Sequence, residues 1–423
     1  MEEQLLHFIW HRLLFAQPGL VTTCDEPVEI LHTGVPNHDQ GPDFLQARVR
    51  IAGQLWAGHV EIHVRSSAWY LHRHEHDTHY NNVILHVVWK EDQPAYTHGH
   101  YRIPCIELEG RVDHTLMERY HHLMNNKEWV PCASSLMQVA PIIRSSWLDR
   151  LLAERLEHKT AHILQLLDAT GYHWEQVFFI MLARQLGAPA NSDSMEELCL
   201  KLPWNVMRRH GDRLDQIEAI LFGCAGMLEK AWQEAYPGHL KREFDFLKMK
   251  YQFPVMPGLR WKFMRMRPVH FPTIRIAQLA MMIYQSTHFI SLLEETESAA
   301  AWMQRFMVVP ADAYWEDHYH FSSQSPHALK RLGETTAHTL VINVVAPVMF
   351  LYGKTQGKSI LKEHALDLLR QLPAESNAII RGWKTCGWEV EDAGQTQALL
   401  HLKKQYCDER RCMHCAIGLQ VIK

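Results

Sequence analysis

No long apolar run, no disulfide framework and no strong excess of either charge marks this 423-residue sequence. The longest apolar stretch, Val341 to Tyr352 with Asn343 inside it, is too short for a bilayer, so no membrane partner is expected. Nine cysteines, odd in number and unevenly spread, do not read as a secreted scaffold. Met1-Glu2-Glu3 passes directly into an amphipathic run, so no secretory leader is expected either. Together these point to the cytoplasm. A net charge of −4 excludes a surface coated in cations, so a nucleic-acid binder of this composition has to gather its cations in one place. Neither an internal repeat nor a low-complexity linker divides the chain.

What the sequence has in quantity is histidine. Thirty are present, and twelve of them fall between His59 and His122. Imidazole ligates metals and moves protons near neutral pH, although most single histidines are surface or capping groups.

Periodicity divides the chain in two. Leu5, Leu6, Ile9, Trp10, Leu13 and Leu14 recur at helical spacing, predicting a helix over 2–16 that ends before Pro18-Gly19. A strand is predicted around Val28 to Leu31, then a polar loop from Asn37 to Asp43. Alternating residues from Phe44 to Ile51 and from Leu55 to Val64 predict a hairpin with a Gly53-Gln54 turn. That register pairs residue 45 with 62 and 47 with 60, and sets Glu61 beside His63 on the polar face. A short helix is predicted over Trp69 to Tyr80, a doubly buried strand over Val83 to Val88, and another strand near Tyr101 to Leu108. Beyond residue 130, helical periods cover Trp147 to Leu167, Trp174 to Leu186, Leu214 to Tyr236, Ile274 to Tyr284, Leu361 to Leu372 and Thr396 to Tyr406. The expected fold class is therefore α+β or α/β. A mixed sheet flanked by helices occupies 1–130, and a larger, mostly α-helical region occupies 131–423, ending in a Cys-rich tail at 407–415.

Gly41-Pro42-Asp43, followed after seventeen residues by Glu61-Ile62-His63, resembles the signature of the PD-(D/E)XK nuclease superfamily. The order of elements around it is similar too. Two carboxylates with a carbonyl such as that of Ile62 can form an oxygen cage for Mg²⁺. An ion so held can position a water and stabilise charge on a phosphodiester. The resemblance implies a restriction-endonuclease-like fold, with Asp43 and Glu61 as Mg²⁺ ligands and His63 in the place of the usual lysine. A neutral histidine can act there as a base, without lysine's fixed charge. Glu3, Asp77 and Tyr80 would stand at the rim. In the simple hairpin register Asp43 has the opposite parity to Glu61, so a bulge or twist near Pro42 has to turn it inward.

The run His72-Arg73-His74-Glu75-His76-Asp77 also resembles the metallo-β-lactamase pattern, with its last two residues reversed. Helical spacing of His72, His76 and His79, with His74 turned elsewhere, predicts a solvated face instead. In the tail, Cys407, Cys412 and Cys415 suggest zinc or an iron–sulfur cluster, with Cys132, Cys386 or His401 as a fourth ligand. The same layout looks similar to iron–sulfur nucleases of that superfamily; a group of small buried thiols is the plainer alternative. Arg260, Lys262, Arg265, Arg267 and Arg275, interleaved with Trp261 and Phe263, form the densest basic and aromatic stretch. It suits either single-stranded nucleic acid or an internal anchor between helices, and the anchor is the simpler reading.

Across nearly its whole length the sequence is also similar to a bacterial family catalogued only as a domain of unknown function. The resemblance rests on Gly41-Pro42-Asp43-Phe44, Gly58 with Val60 to His63, Val83 to Val88, Arg265 to Pro268 and the cysteine tail. The function expected from the site is a metal-dependent phosphodiesterase acting on nucleic acid. The alternative is a non-catalytic nucleic-acid-binding or structural protein on a nuclease-like scaffold.

Overall fold

The computed structural model describes residues 1–37, 39–257, 260–295, 298–310, 312–321 and 323–423. Two compact units emerge. The first comprises Met1–Val139 with Tyr406–Lys423, and the second comprises Ala140–Gln405. The sheet unit thus extends beyond residue 130, and the Cys-rich tail returns to it instead of ending the helical region.

The first unit is built on a six-stranded mixed sheet. Helix α1 (Glu3–His11) is followed by β1 (Val28–His32), β2 (Val35–Pro36), β3 (Phe44–Ile51) and β4 (Gln54–Arg65). The short helix α2 (Ala68–Leu71), β5 (Val83–Lys90), β6 (Cys105–Glu107) and α3 (His114–Asn125) complete the α/β part. Strand order is β1-β3-β4-β5-β6, with β2 also on β3. The β3–β4 hairpin is antiparallel, whereas β4–β5 and β5–β6 are parallel. Helix α1 turns Leu5, Leu6, Ile9 and Trp10 into the core, and β5 is buried through its first six residues, as its unbroken apolar run requires.

The hairpin differs from its predicted register in a way that matters. Its turn residues are Ala52 and Gly53, both at positive φ, which fits a type I′ connection. Ala47 pairs with Gly58, and a β-bulge then brings Phe44 opposite Val60. Gln46 takes a left-handed backbone (φ 59°) within that bulge. The extra residue reverses the parity of everything before it. Asp43 therefore arrives beside Glu61, with the bulge at Gln46 rather than at Pro42.

The predicted helix over 69–80 is also interrupted. After α2, Arg73 adopts a left-handed conformation (φ 61°), and two short 3₁₀ turns, His74–His76 and Thr78–Asn82, lead into β5. The even helical face expected for His72, His76 and His79 therefore does not form.

The second unit is helical. Its elements begin with α4 (Pro141–Ala169), α5 (Trp174–Leu186), α6 (Ser192–Leu200), α7 (Trp204–Arg209), α8 (Leu214–Cys224), α9 (Ala235–Tyr251) and α10 (Pro272–Gln285). The period predicted over 214–236 splits, α8 ending at Cys224 and α9 beginning at Ala235. Glu334–Thr355 forms one 22-residue helical segment through a π-turn at Val341–Val345, long and apolar enough to cross a membrane. This differs from the short run read in the sequence. With 72% of its apolar window buried within the protein, the segment is a core helix of this unit.

Candidate functional site

Alternation along β4 places Glu61 and His63 on one face and Val60 and Ile62 on the other; all four are buried. Asp43 and Glu61 meet through a main-chain hydrogen bond, and His63 lies beside Glu61. The Asp43 N–H donates to Glu61 Oε2 (3.1 Å), and the Ile62 N–H donates to Asp43 Oδ2 (2.9 Å). These reciprocal bonds lock the bulged end of β3 to the middle of β4. On α1, His7 Nε2 lies 3.4 Å from Asp43 Oδ2.

Around Glu61 the neighbours are imidazoles. His63 Nε2 and His74 Nε2 lie 3.5 and 3.2 Å from Glu61 Oε1. His63 Nε2 is 3.2 Å from His72 Nδ1, and His63 Nδ1 is 2.9 Å from His86 Nε2. One ring nitrogen each from His63, His72 and His74 lies within 4.8 Å of the other two. The left-handed residue Arg73 makes this possible, because it turns His72 and His74 toward the same point. Aromatic packing fixes the rings. Tyr80 stacks on His74 at 3.8 Å between centroids, and Trp69 meets both His74 and His86.

Burial sets the protonation states. It draws the His63 pKa down to about 2, with the nearby charges of His86, His74 and His72 acting in the same direction. His86 falls to about 3 for the same first reason. Both rings are therefore neutral, which is the ligand form. Burial, joined by the charge of Asp43, raises the Glu61 carboxyl above its ordinary range. His7 is opposed by burial but raised by its bond to Asp43 and that residue's charge. Two carboxylates so close hold their charges only at a cost, which a divalent cation would offset.

Those donors fit a divalent ion, but not an oxygen cage of the Mg²⁺ kind. One oxygen of each carboxylate accepts a main-chain N–H, and Glu61 Oε1 faces nitrogen atoms. Sequence reasoning missed His72 and His74 as members of the site. It relied on helical phase, and nothing in an arginine announces a left-handed break.

The remaining predicted residues separate. Tyr80 is part of the wall. Glu3 is exposed on α1, where its charge reaches His7 and Glu61. Asp77 caps the following turn by accepting from the His79 N–H (2.9 Å), and its charge reaches His74. In the helical unit Arg275 is buried and bonded to Gln278 (2.8 Å) and His270, so its assignment to a nucleic-acid surface is corrected to an internal anchor. Trp261 is likewise core, donating to the Ala225 carbonyl (2.8 Å). Arg260 pairs with Glu197, whereas Lys262, Arg265 and Arg267 are exposed.

Cys132 and the tail cysteines share the first unit; Cys386 and His401 belong to the second. Cys132, Cys412 and Cys415 are buried. Burial, with Cys415 adding to it, pushes the Cys412 thiol up to about 11. Gly418 lets the helix Ala416–Ile422 lie against this turn, since a Cβ there would come within 2.3 Å of the Cys412 carbonyl oxygen.

Neither curated proteins nor solved structures include a match to this chain. The family model described as "Protein of unknown function (DUF2851)" matches residues 3–378, which include the whole Asp43–Glu61–histidine cluster, and the chain belongs to that family.

Proposed function

We propose that the sheet unit is a metal-dependent phosphodiesterase acting on nucleic acid, with its reactive centre at Asp43, Glu61 and His63 on a nuclease-like fold. The observation that carries this reading is the pair of reciprocal hydrogen bonds from Asp43 N–H to Glu61 and from Ile62 N–H to Asp43. They hold two carboxylates together on adjoining strands, beside a neutral imidazole. A divalent ion there would polarise a phosphodiester and make a bound water more acidic. The chain's own contribution is to place the carboxylates, keep His63 uncharged and shield the centre with Trp69 and Tyr80.

Exposed Lys262, Arg265 and Arg267 are the cations offered to a phosphate backbone. In the same proposal, Cys407, Cys412 and Cys415 with Cys132 hold zinc or an iron–sulfur cluster that fastens the tail. The Cys412→Ser variant is then expected to lose that metal on elemental analysis.

The direct test is Glu61→Gln. Cleavage of single- and double-stranded DNA and RNA with added divalent ions is expected in the parent protein and absent in the variant. Equal cleavage by both would remove this site from the reaction.

One observation favours a second reading. His63 stands where a lysine would carry a fixed charge, and burial keeps it neutral. A nucleic-acid-binding protein without cleavage would show salt-dependent affinity and no product with any divalent ion.

A further inference from the structure

We infer that His63, His72 and His74, with Glu61 beside two of them, form a mononuclear site for zinc or a chemically similar late first-row divalent ion. The inference shares its location with the phosphodiesterase reading but does not require catalysis. Three observations carry it.

Spacing comes first. Tetrahedral zinc with bonds of 2.0–2.1 Å needs ligand atoms about 3.3 Å apart. The separations here are 3.2 Å for His63 Nε2 to His72 Nδ1, 3.2 Å for His74 Nε2 to Glu61 Oε1 and 3.5 Å for His63 Nε2 to Glu61 Oε1. These contacts run from His72 to His63, from His63 to Glu61 and from Glu61 to His74, and the three imidazoles offer nitrogens within 4.8 Å of one another, a span that one ion can bridge.

Donor chemistry comes second. Three imidazole nitrogens and one carboxylate oxygen suit zinc, cobalt or iron, whereas Mg²⁺ takes oxygen and water in an octahedron. His74 Nε2 is buried and near Glu61 Oε1 but makes no hydrogen bond in good geometry. Its lone pair has a use if it faces an ion. Among the described residues no lysine or arginine pairs with Glu61; its ion-pair neighbours are His63 and His74.

Support around the ligands comes third. His63 Nδ1 lies 2.9 Å from His86 Nε2, and in the tautomer in which His63 donates there its Nε2 lone pair is left for an ion. A ligating histidine whose other nitrogen is held in this way has its tautomer and orientation fixed. Glu61 Oε2 is held by the Asp43 N–H, and the His74 ring is held by Tyr80. His72 is the exposed member, leaving one side of the point accessible from solvent. His63 thereby becomes a ligand, and Asp43, with His7 beside it, remains the group free to hold a water.

The test uses the full chain stripped by a chelator and titrated with Co²⁺, then Zn²⁺, in a Cys407→Ser, Cys412→Ser, Cys415→Ser background that removes the three tail thiols. One equivalent of Co²⁺ is expected, with the intense visible absorption of a tetrahedral site and displacement by Zn²⁺. His72→Ala, at an exposed ligand, is expected to fold as the parent does by circular dichroism and to bind at least about 100-fold more weakly. His79→Ala, outside the cluster, is expected to bind as the parent does. Absence of Co²⁺ absorption, or equal affinity in His72→Ala, overturns the inference. Mg²⁺-dependent cleavage by a protein that takes up no Zn²⁺ also overturns it, yet leaves the phosphodiesterase reading standing. Tight Zn²⁺ binding that depends on His72, without cleavage under any condition, supports the site and removes the reaction.

Discussion

The His63–His72–His74 cluster of the first unit, with Glu61 beside it, and the Asp215–His239–Glu243 cluster of the second offer the same kinds of donor. Asp215 opens α8, while His239 and Glu243 sit one turn apart on α9. Arg213 reaches Asp215 through two nitrogens (3.2 and 3.1 Å), and Gln216 donates to Glu243 (3.1 Å). The helical cluster is therefore already satisfied by a cation and an amide at a half-exposed surface. In the sheet cluster Glu61 and His63 are buried, His72 is the exposed member, and no such cation pairs with Glu61 among the described residues. Donor proximity alone does not make a metal site. What distinguishes the first cluster is a buried carboxyl, raised in pKa by burial and by Asp43, that faces imidazoles and has no lysine or arginine partner among the described residues.

That comparison can be sharpened by mutation. The largest effect is expected from Glu61→Gln, with metal-dependent cleavage falling by more than about 100-fold; Glu243→Gln is expected to leave it unchanged. Trp69→Ala comes next. Trp69 is completely buried and braces His74 and His86, so its loss is expected to destabilise the sheet unit by about 3–5 kcal/mol in urea unfolding. Metal affinity should fall with it, because the rings lose their support.

Acidification separates the clusters by the pH window in which each loses stability. Unfolded, His63 and His86 take up protons near their ordinary value of 6.5; folded, they resist until about 2 and 3. The unfolded state binds more protons across that interval, so stability falls as pH drops below 6.5. The slope approaches about 1.4 kcal/mol per pH unit for each histidine. Asp215 is opposed by burial but lowered overall by Arg213 and His239, so its contribution is present above its ordinary value of 3.8 and is lost only below it. Glu61, raised by burial and Asp43, works in the opposite sense, because folded it keeps a proton that the unfolded chain releases above about 4.5, and it offsets about one histidine's share. The remaining loss should appear in amide exchange between pH 7 and 5 as β4 and β5 opening more readily, while α8 is not destabilised through Asp215. The smallest effect is expected from Asp215→Asn. This surface pairing is worth less than about 1 kcal/mol in thermal unfolding, and the metal content should not change.

Much of the scaffold was legible because burial writes periodicity into the sequence. The doubly buried β5, the alternation in β4 and helices such as Trp174–Leu186 all follow from it. Glu61 and His63 were legible for the same reason, two polar residues at strand spacing among apolar ones. Asp43 was legible only as a motif, since its parity depends on a bulge at Gln46, where glutamine rather than glycine takes positive φ. His72 and His74 were hidden by the equally silent left-handed turn at Arg73. Both exceptions are local backbone choices imposed by tertiary contacts, and both lie at the site. Arg275 could not be told from a surface cation by its place in a basic run, and its burial and its bond to Gln278 decide for the internal anchor.

The central claim, that the sheet cluster is a metal centre and the helical cluster is not, is tested most directly by anomalous diffraction at the zinc edge from crystals grown with Zn²⁺. A peak bonded to His63, His72 and His74, next to Glu61, is expected, and none at Asp215, His239 and Glu243. A peak confined to the helical cluster, or no density among the three imidazoles, would contradict it.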